Sequence, residues 1–210
     1  MIERERVNGP PLLLATTNPG KVREIRVALA GVPVELLTLA DVVAVDGPVE
    51  TGVTFAGNAR LKAEYYSSCL QLPTVAEDSG LVIDALGGRP GVHSARYPGA
   101  TYPEKFAGLF QELAPHPRPW TARFTCALAV VEGGRVVFQA QDSVEGEIVP
   151  EPSGTNGFGY DPIFFYRPYG RTLASVTDEE KLAASHRGRA FRQLRAWLAG
   201  RRAPFFGKLP

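Results

Sequence analysis

The chain has little sulfur and little charge imbalance. Its 210 residues include two cysteines and one methionine, and 23 basic side chains face 22 acidic ones, for a formal net charge of +1. Cys69 and Cys126 are too few for a disulfide framework or a cysteine zinc site. Both lie in apolar runs, which predicts buried free thiols in a reducing compartment. The balanced charge lacks the basic stripe that nucleic acid or an anionic membrane surface would require. No apolar stretch approaches the roughly 18 residues of a membrane helix, and Met1–Arg6 carries no apolar signal region. The phosphate-loop pattern G-x-x-x-x-G-K-[ST] and the nucleophile elbow G-x-S-x-G are both missing. The expectation is a cytoplasmic protein with no nucleic-acid or membrane partner. Any anion binding must come from local clusters.

What is present is ordinary in bulk. Hydrophobic residues make up 44% and charged residues 21%, the values of a soluble globular protein. The length fits one domain over residues 1–210, with residues 1–10 as a polar arm. Leu12–Ala15 reads as a short buried strand. Asn18-Pro19-Gly20 turns the chain, Lys21–Ala30 has helical apolar spacing closed by Gly31, and Val34–Leu39 is a second strand. Thr54 is a suitable N-cap for a helix carrying Phe55, Ala59, Ala63 and Tyr66 inward, stopped by Pro73. Thr74–Ala76 is a strand that delivers Glu77 and Asp78, and Leu81–Ile83 continues extended. Pro103–Leu113 reads as a helix. Thr121–Val131 and Arg135–Glu147 are β-rich runs joined at Gly133-Gly134, a hairpin signal. Ile163–Tyr166 is a short strand. Thr177–Glu180 has the form of a capping box, and Ser185 followed by Gly188 predicts a fresh helix start. The apolar phase of Ala183, Ala190, Leu194 and Trp197 puts His186 and Arg187 on or near the inward face, so with or without that break they point away from bulk solvent. Together these predict an α/β fold.

Five polar clusters carry the chemistry. Thr16, Thr17, Asn18, Pro19, Gly20 and Lys21 join a strand to a helix, where backbone N–H groups and a lysine suit a phosphate. The competing reading is a plain turn. Glu77-Asp78-Ser79-Gly80 follows an apolar run. Adjacent carboxylates at the end of a buried strand are costly unless they pair, bind metal or do chemistry. Oxygen donors suit Mg²⁺, and Glu50 is a further ligand candidate. Phe158, Gly159, Tyr160 and Asp161 follow Gly157. The glycines leave an aromatic face open for a purine, and Asp161 offers an acceptor to a base edge. Lys181, then Ser185-His186-Arg187, supply donors for a phosphate or a base carbonyl. His93 and His116 stand in loops and read as incidental.

The clusters together resemble the Ham1-like, or RdgB/ITPase-type, purine nucleoside triphosphate pyrophosphatases. The resemblance runs through Leu14–Lys21, Glu50-Thr51-Gly52, Phe55, Asn58-Ala59 and Lys62-Ala63. It continues through Asp78–Leu81, Leu86–Gly91 and Ser94–Tyr97, and closes with Gly157–Phe164, Lys181 and Ser185–Arg187. These blocks span residues 12 to about 198. The resemblance implies Mg²⁺-assisted hydrolysis of ITP, dITP and XTP to monophosphate and pyrophosphate. It implies an elongated mixed-sheet α/β fold flanked by helices, with two lobes around a central substrate cleft, and a homodimer. Carried over by motif, Asp78 is the general base and a metal-linked carboxylate, and Glu50 is a metal ligand. Thr16–Lys21 and Ser79 hold phosphates. Phe158–Asp161, Lys181, His186 and Arg187 bind the base and neighbouring groups. Three positions depart from the pattern, one of them Asn156, which stands where a glycine is frequent. Gly57 stands where relatives often carry a carboxylate, and Val49 precedes Glu50 where a second acid is common. Metal coordination would then lean on Glu50, Glu77 and Asp78. A Maf-like pyrophosphatase acting on pyrimidine nucleotides and a non-catalytic nucleotide-binding module are the competing readings.

Overall fold

The computed structural model describes residues 9–201, so residues 1–8 of the expected polar arm lie outside the described residues. Among the described residues the strands form a seven-stranded sheet of order β2-β1-β3-β4-β5-β6-β7. The strands are β1 (Pro11–Leu14), β2 (Glu35–Thr38), β3 (Thr74–Ile83), β4 (Trp120–Glu132), β5 (Arg135–Ile148), β6 (Phe164–Tyr166) and β7 (Arg171–Thr172). β1 pairs in parallel with β2 and β3, while β6 pairs antiparallel with β5 and β7. The sheet is therefore mixed, as the α/β reading requires. The chain forms two compact units. Among the described residues the first comprises 9–78, Ala127–Gln141 and 190–201; the second comprises Ser79–Cys126 and Asp142–Arg189.

In the first unit, α1 (Pro19–Ala28) begins at the N-cap Asn18, whose side chain accepts from the Lys21 N–H at 3.1 Å, with Pro19 at the first turn. Ile25 and Leu29 on one face are buried. α2 (Phe55–Leu70) is capped by Thr54, whose hydroxyl accepts from the Gly57 N–H at 3.0 Å. Its Ala59, Ala63 and Tyr66 turn inward, and Ala63 and Tyr66 join Leu13, Ala15, Ala76, Ala129 and Val131 in one core. The helix ends before Pro73, at Gln71 in the left-handed conformation (φ 52°). β4 and β5 meet through Gly133 and Gly134, both at positive φ, the requirement of a type I′ hairpin.

In the second unit, α3 (Tyr102–Leu113) packs Phe106, Leu109 and Leu113 against Leu81, Ile83, Trp120, Phe124, Ile163 and Phe164. α4 (Asp178–Ala184) opens with the complete Thr177/Glu180 capping box. Ser185 is extended (φ −69°, ψ 155°), and its hydroxyl accepts from the Gly188 N–H at 3.1 Å, so a new helix, α5 (His186–Gly200), starts there. Three expectations need correction. Glu77 and Asp78 do not end a strand. They lie inside the ten-residue β3, whose edge is shielded by the Leu81 N–H donating to Ser94 Oγ at 2.8 Å. Cys69 is exposed, because it sits on the outer face of α2; Cys126 alone is buried. Tyr160 is a core residue, 4% exposed, among Tyr102 and Phe106.

Candidate functional site

The first unit holds a carboxylate–lysine set. β3 brings Glu77 and Asp78 into the interior, 1% and 6% exposed. Consecutive strand residues point to opposite faces, so the two carboxylates need separate cations. Lys21, in the first turn of α1, reaches Glu77 at 2.6 Å. Lys62, on α2, stands 2.8 Å from Glu50 and 3.3 Å from Asp78. Asn58, one turn earlier on α2, donates its amide to Asp78 Oδ2 at 3.1 Å. Glu50 is thus brought beside Asp78 by a shared ammonium.

Charge is distributed unevenly in this set. Burial lowers the Lys62 pKa, but Asp78, Glu77 and Glu50 together outweigh it and leave it raised. Burial also raises the Asp78 pKa, and Lys62, Asn58 and Lys21 offset only part of that. The asymmetry has a simple origin. One ammonium is surrounded by three carboxylates, whereas Asp78 shares that ammonium with Glu50. Asp78 is consequently a better proton acceptor than an ordinary surface aspartate.

The Thr16–Lys21 segment completes the set. Thr16 Oγ1 accepts from the Asn18 N–H at 3.2 Å, and Thr17 is exposed at the start of α1. An open concavity of about 670 Å³ adjoins it, lined by Thr16, Thr17, Pro19, Arg23, Arg26 and Thr38 among others. Thr17, Pro19 and Gly20 stand at the positive end of α1.

The second unit holds an aromatic–cation set. Asp161, 3% exposed, accepts from Lys181 Nζ at 2.5 Å and from the Phe158 N–H at 2.7 Å. Lys181 Nζ lies 4.7 Å from the Phe158 ring centroid and the Arg187 guanidinium 5.4 Å from it. Two cations over one ring are a cation–π arrangement. Gly157 is required here, since a Cβ would collide with the Asp161 carboxylate and the Lys181 ammonium. Gly159 faces the Tyr102 ring. Arg187 donates to Ser79 Oγ at 2.8 Å, and the His186 ring stacks on Phe124 at 4.9 Å with 17° between planes. His186 and Arg187 are 4% and 2% exposed, away from bulk solvent as the apolar phase of the segment implies.

Two residues expected at the base also have partners inside the protein. The Tyr160 hydroxyl donates to the Ser94 carbonyl at 2.8 Å in the core. The Asp161 carboxylate holds Lys181 and the Phe158 backbone. Sequence reasoning does not single out Asn58 or Lys62 as site residues. Their i, i+4 spacing on α2, a polar pair on the face that also buries Ala59 and Ala63, is the available signal.

A family model for the Ham1 family matches residues 12–197. The dITP/XTP pyrophosphatase of Geobacillus kaustophilus is 47% identical over 186 residues, covering 87% of this chain and 91% of that protein. A HAM1 protein from Coxiella burnetii has a TM-score of 0.85 at 37% identity, covering 91% of this chain and 100% of that one. The nucleoside-triphosphatase / dITP/XTP pyrophosphatase from Mycobacterium abscessus has a TM-score of 0.70 at 42% identity, covering 88% and 98%. With the two charged sets drawn from the matched residues, the chain belongs to the Ham1 family.

Proposed function

We propose that this chain is a nucleoside triphosphate pyrophosphatase that converts dITP, XTP and ITP to the nucleoside monophosphate and pyrophosphate. The observation that carries this reading is the buried Asp78, held by Lys62 and Asn58 beside Glu50 in a set with two lysines. That set suits a polyphosphate, while the Phe158, Lys181, His186 and Arg187 set suits a purine carrying a carbonyl. The Geobacillus kaustophilus and Mycobacterium abscessus relatives carry dITP/XTP pyrophosphatase in their names and are matched over most of their length.

The residues present fit a divalent ion. Glu50, Glu77 and Asp78 offer only oxygen, the donor type Mg²⁺ selects. Among the described residues no cluster of three or more His, Cys, Asp or Glu forms a cage. Mg²⁺ in nucleotide enzymes commonly uses one or two carboxylates and completes its shell with phosphate oxygens. Glu50 and Asp78 would hold it here. When bound, Mg²⁺ supplies neutralisation of phosphate charge and polarisation of the phosphoryl group.

The chain's own residues do the rest. Asp78 orients a water toward the α-phosphorus and takes its proton as the new P–O bond forms. The bond to the β-phosphate oxygen breaks, and pyrophosphate leaves with that electron pair. Lys21 and Lys62 exchange carboxylate oxygens for phosphate oxygens and offset the charge that accumulates. Thr16, Thr17, Asn18, Gly20 and Ser79 bind phosphate oxygens. Phe158 stacks the purine, and Lys181, His186 and Arg187 donate toward its 6-keto oxygen. Adenine presents an amino donor at that position, so a donor would face a donor, whereas guanine shares the 6-keto oxygen and is rejected at its 2-amino group. Such mismatches at a buried polar site discriminate by roughly 10⁴. The free thiols of Cys69 and Cys126 suit a reducing compartment, in keeping with a cytoplasmic enzyme. A homodimer completes the reading, on the family resemblance alone.

The test is product analysis with Mg²⁺ and, separately, dITP, XTP, dGTP, dATP and dTTP. Monophosphate plus pyrophosphate from dITP and XTP, with little turnover of dATP and dGTP, is the expected result. Turnover of dTTP in preference to the purines would favour the Maf-like reading. Folded protein that turns over none of them would favour the binding module.

A further inference from the structure

We propose that Asn58 is the positioning residue of the carboxylate set: its single amide fixes the Asp78 carboxylate and the Glu50 loop at once. Asn58 is fully buried in the first turn of α2. Its Nδ2 donates to Asp78 Oδ2 at 3.1 Å, and its Oδ1 accepts from the Gly52 N–H at 2.8 Å. Only one orientation of the amide serves both partners, since a carboxylate needs a donor and a backbone N–H needs an acceptor. An asparagine in a helix interior has no propensity advantage over alanine. Burial of its amide would be unfavourable without both bonds, so the two contacts account for its presence.

Gly52 is the matching half. A Cβ there would run into the Asn58 side-chain oxygen and the Asn58 backbone nitrogen, so the loop can close on the amide only as glycine. Gly52 is two residues from Glu50. Lys62, one helical turn after Asn58, ties the Glu50 carboxylate to Asp78 Oδ1. The two Asp78 oxygens are therefore assigned to different partners, Oδ2 to Asn58 and Oδ1 to Lys62. When Lys62 turns to a phosphate oxygen, the amide still holds Asp78 at Oδ2, so the carboxylate angle is set by the same amide that sets the loop. Asn58 acts through Asp78 and Glu50 and touches no substrate.

The inference rests on the proposed activity for its kinetic consequence, but its geometry is testable without turnover. Three variants serve: Asn58→Ala, Asn58→Asp and Gly52→Ala. Amide hydrogen exchange at Gly52 reads the latch directly. Exchange should accelerate in Asn58→Ala and stay slow in Asn58→Asp, which keeps the acceptor. With dITP, kcat should fall about 10–100-fold in Asn58→Ala, the range for groups that orient ligating carboxylates, with KM within about 3-fold. Asn58→Asp keeps the shape but sets a second carboxylate against Asp78, and should lose at least as much kcat with Gly52 still protected. Gly52→Ala should reproduce the kcat loss from the other side. Unchanged Gly52 exchange in Asn58→Ala, or kcat within about 3-fold of the parent in Asn58→Asp, would overturn the proposal. If the parent protein fails to hydrolyse dITP, the activity reading fails, and Gly52 exchange still decides the latch. Should Asn58→Ala not fold, the near-isosteric Asn58→Asp and Gly52→Ala decide it by kcat.

Discussion

In the first unit the cations that neutralise the carboxylates remain partly open: the Lys21 and Lys62 side chains are 17% and 13% exposed, and Glu50 is 24% exposed. In the second unit the Asp161 and Lys181 side chains are each 4% exposed. The two sets contain similar chemical groups, yet they are built for different tasks. A lysine with an accessible side and two carboxylate partners can trade one of them for a phosphate oxygen at little cost. A fully desolvated pair cannot, because each charge depends on the other. The first set is therefore one that can re-partner around an incoming polyanion. The second is a fixed frame that presents Phe158 with cations already over its ring.

The contrast can be broken at its strongest point first. Asp78→Asn should lower kcat by about 10⁴-fold, the upper range for loss of a general base, and leave the fold intact. The sign of the stability effect follows from the raised Asp78 pKa, caused chiefly by burial and opposed by Lys62, Asn58 and Lys21. A carboxyl with a raised folded-state pKa adds stability below its unfolded value, and that stability is lost as pH rises through the folded value. At neutral pH the charged form is thus a cost to the fold, and the amide removes it. Urea unfolding at pH 7 should find the Asp78→Asn variant no less stable than the parent; a clear loss would mean that Asp78 is structural.

The next effect belongs to the second set. Asp161→Ala removes the carboxylate 2.5 Å from the buried Lys181 ammonium and should cost about 3–5 kcal/mol in urea unfolding. The double change Asp161→Leu with Lys181→Met should recover most of that stability while activity stays lost. A single-variant loss below about 1 kcal/mol would place the pair among ordinary surface ion pairs and erase the contrast.

The sequence was legible where local chemistry is strong. Asn18 with Pro19, Thr54, the Thr177/Glu180 box and Ser185 each satisfy orphan N–H groups at a helix start, so they mark starts regardless of context. The burial of His186 and Arg187 followed from the apolar phase of Ala183, Ala190, Leu194 and Trp197. The misplaced features depend on partners distant in sequence. Thr74–Ala76 reads locally as a strand that ends at Glu77 and Asp78, and only the full β3, with Ser94 meeting Leu81, carries it on to Ile83. Tyr160 sits in a glycine-rich segment that looks like an open loop, but its ring packs on Tyr102 and its hydroxyl reaches Ser94. Asn58 and Lys62 look like ordinary polar helix residues until Asp78 and Glu50 are placed against them.

The most direct measurement follows oxygen from labelled water. With Mg²⁺ and dITP in water enriched in oxygen-18, attack at the α-phosphorus puts the label in the monophosphate and leaves pyrophosphate unlabelled, as the account predicts. Label in the pyrophosphate would place the attack on the β-phosphorus and contradict the role given to Asp78.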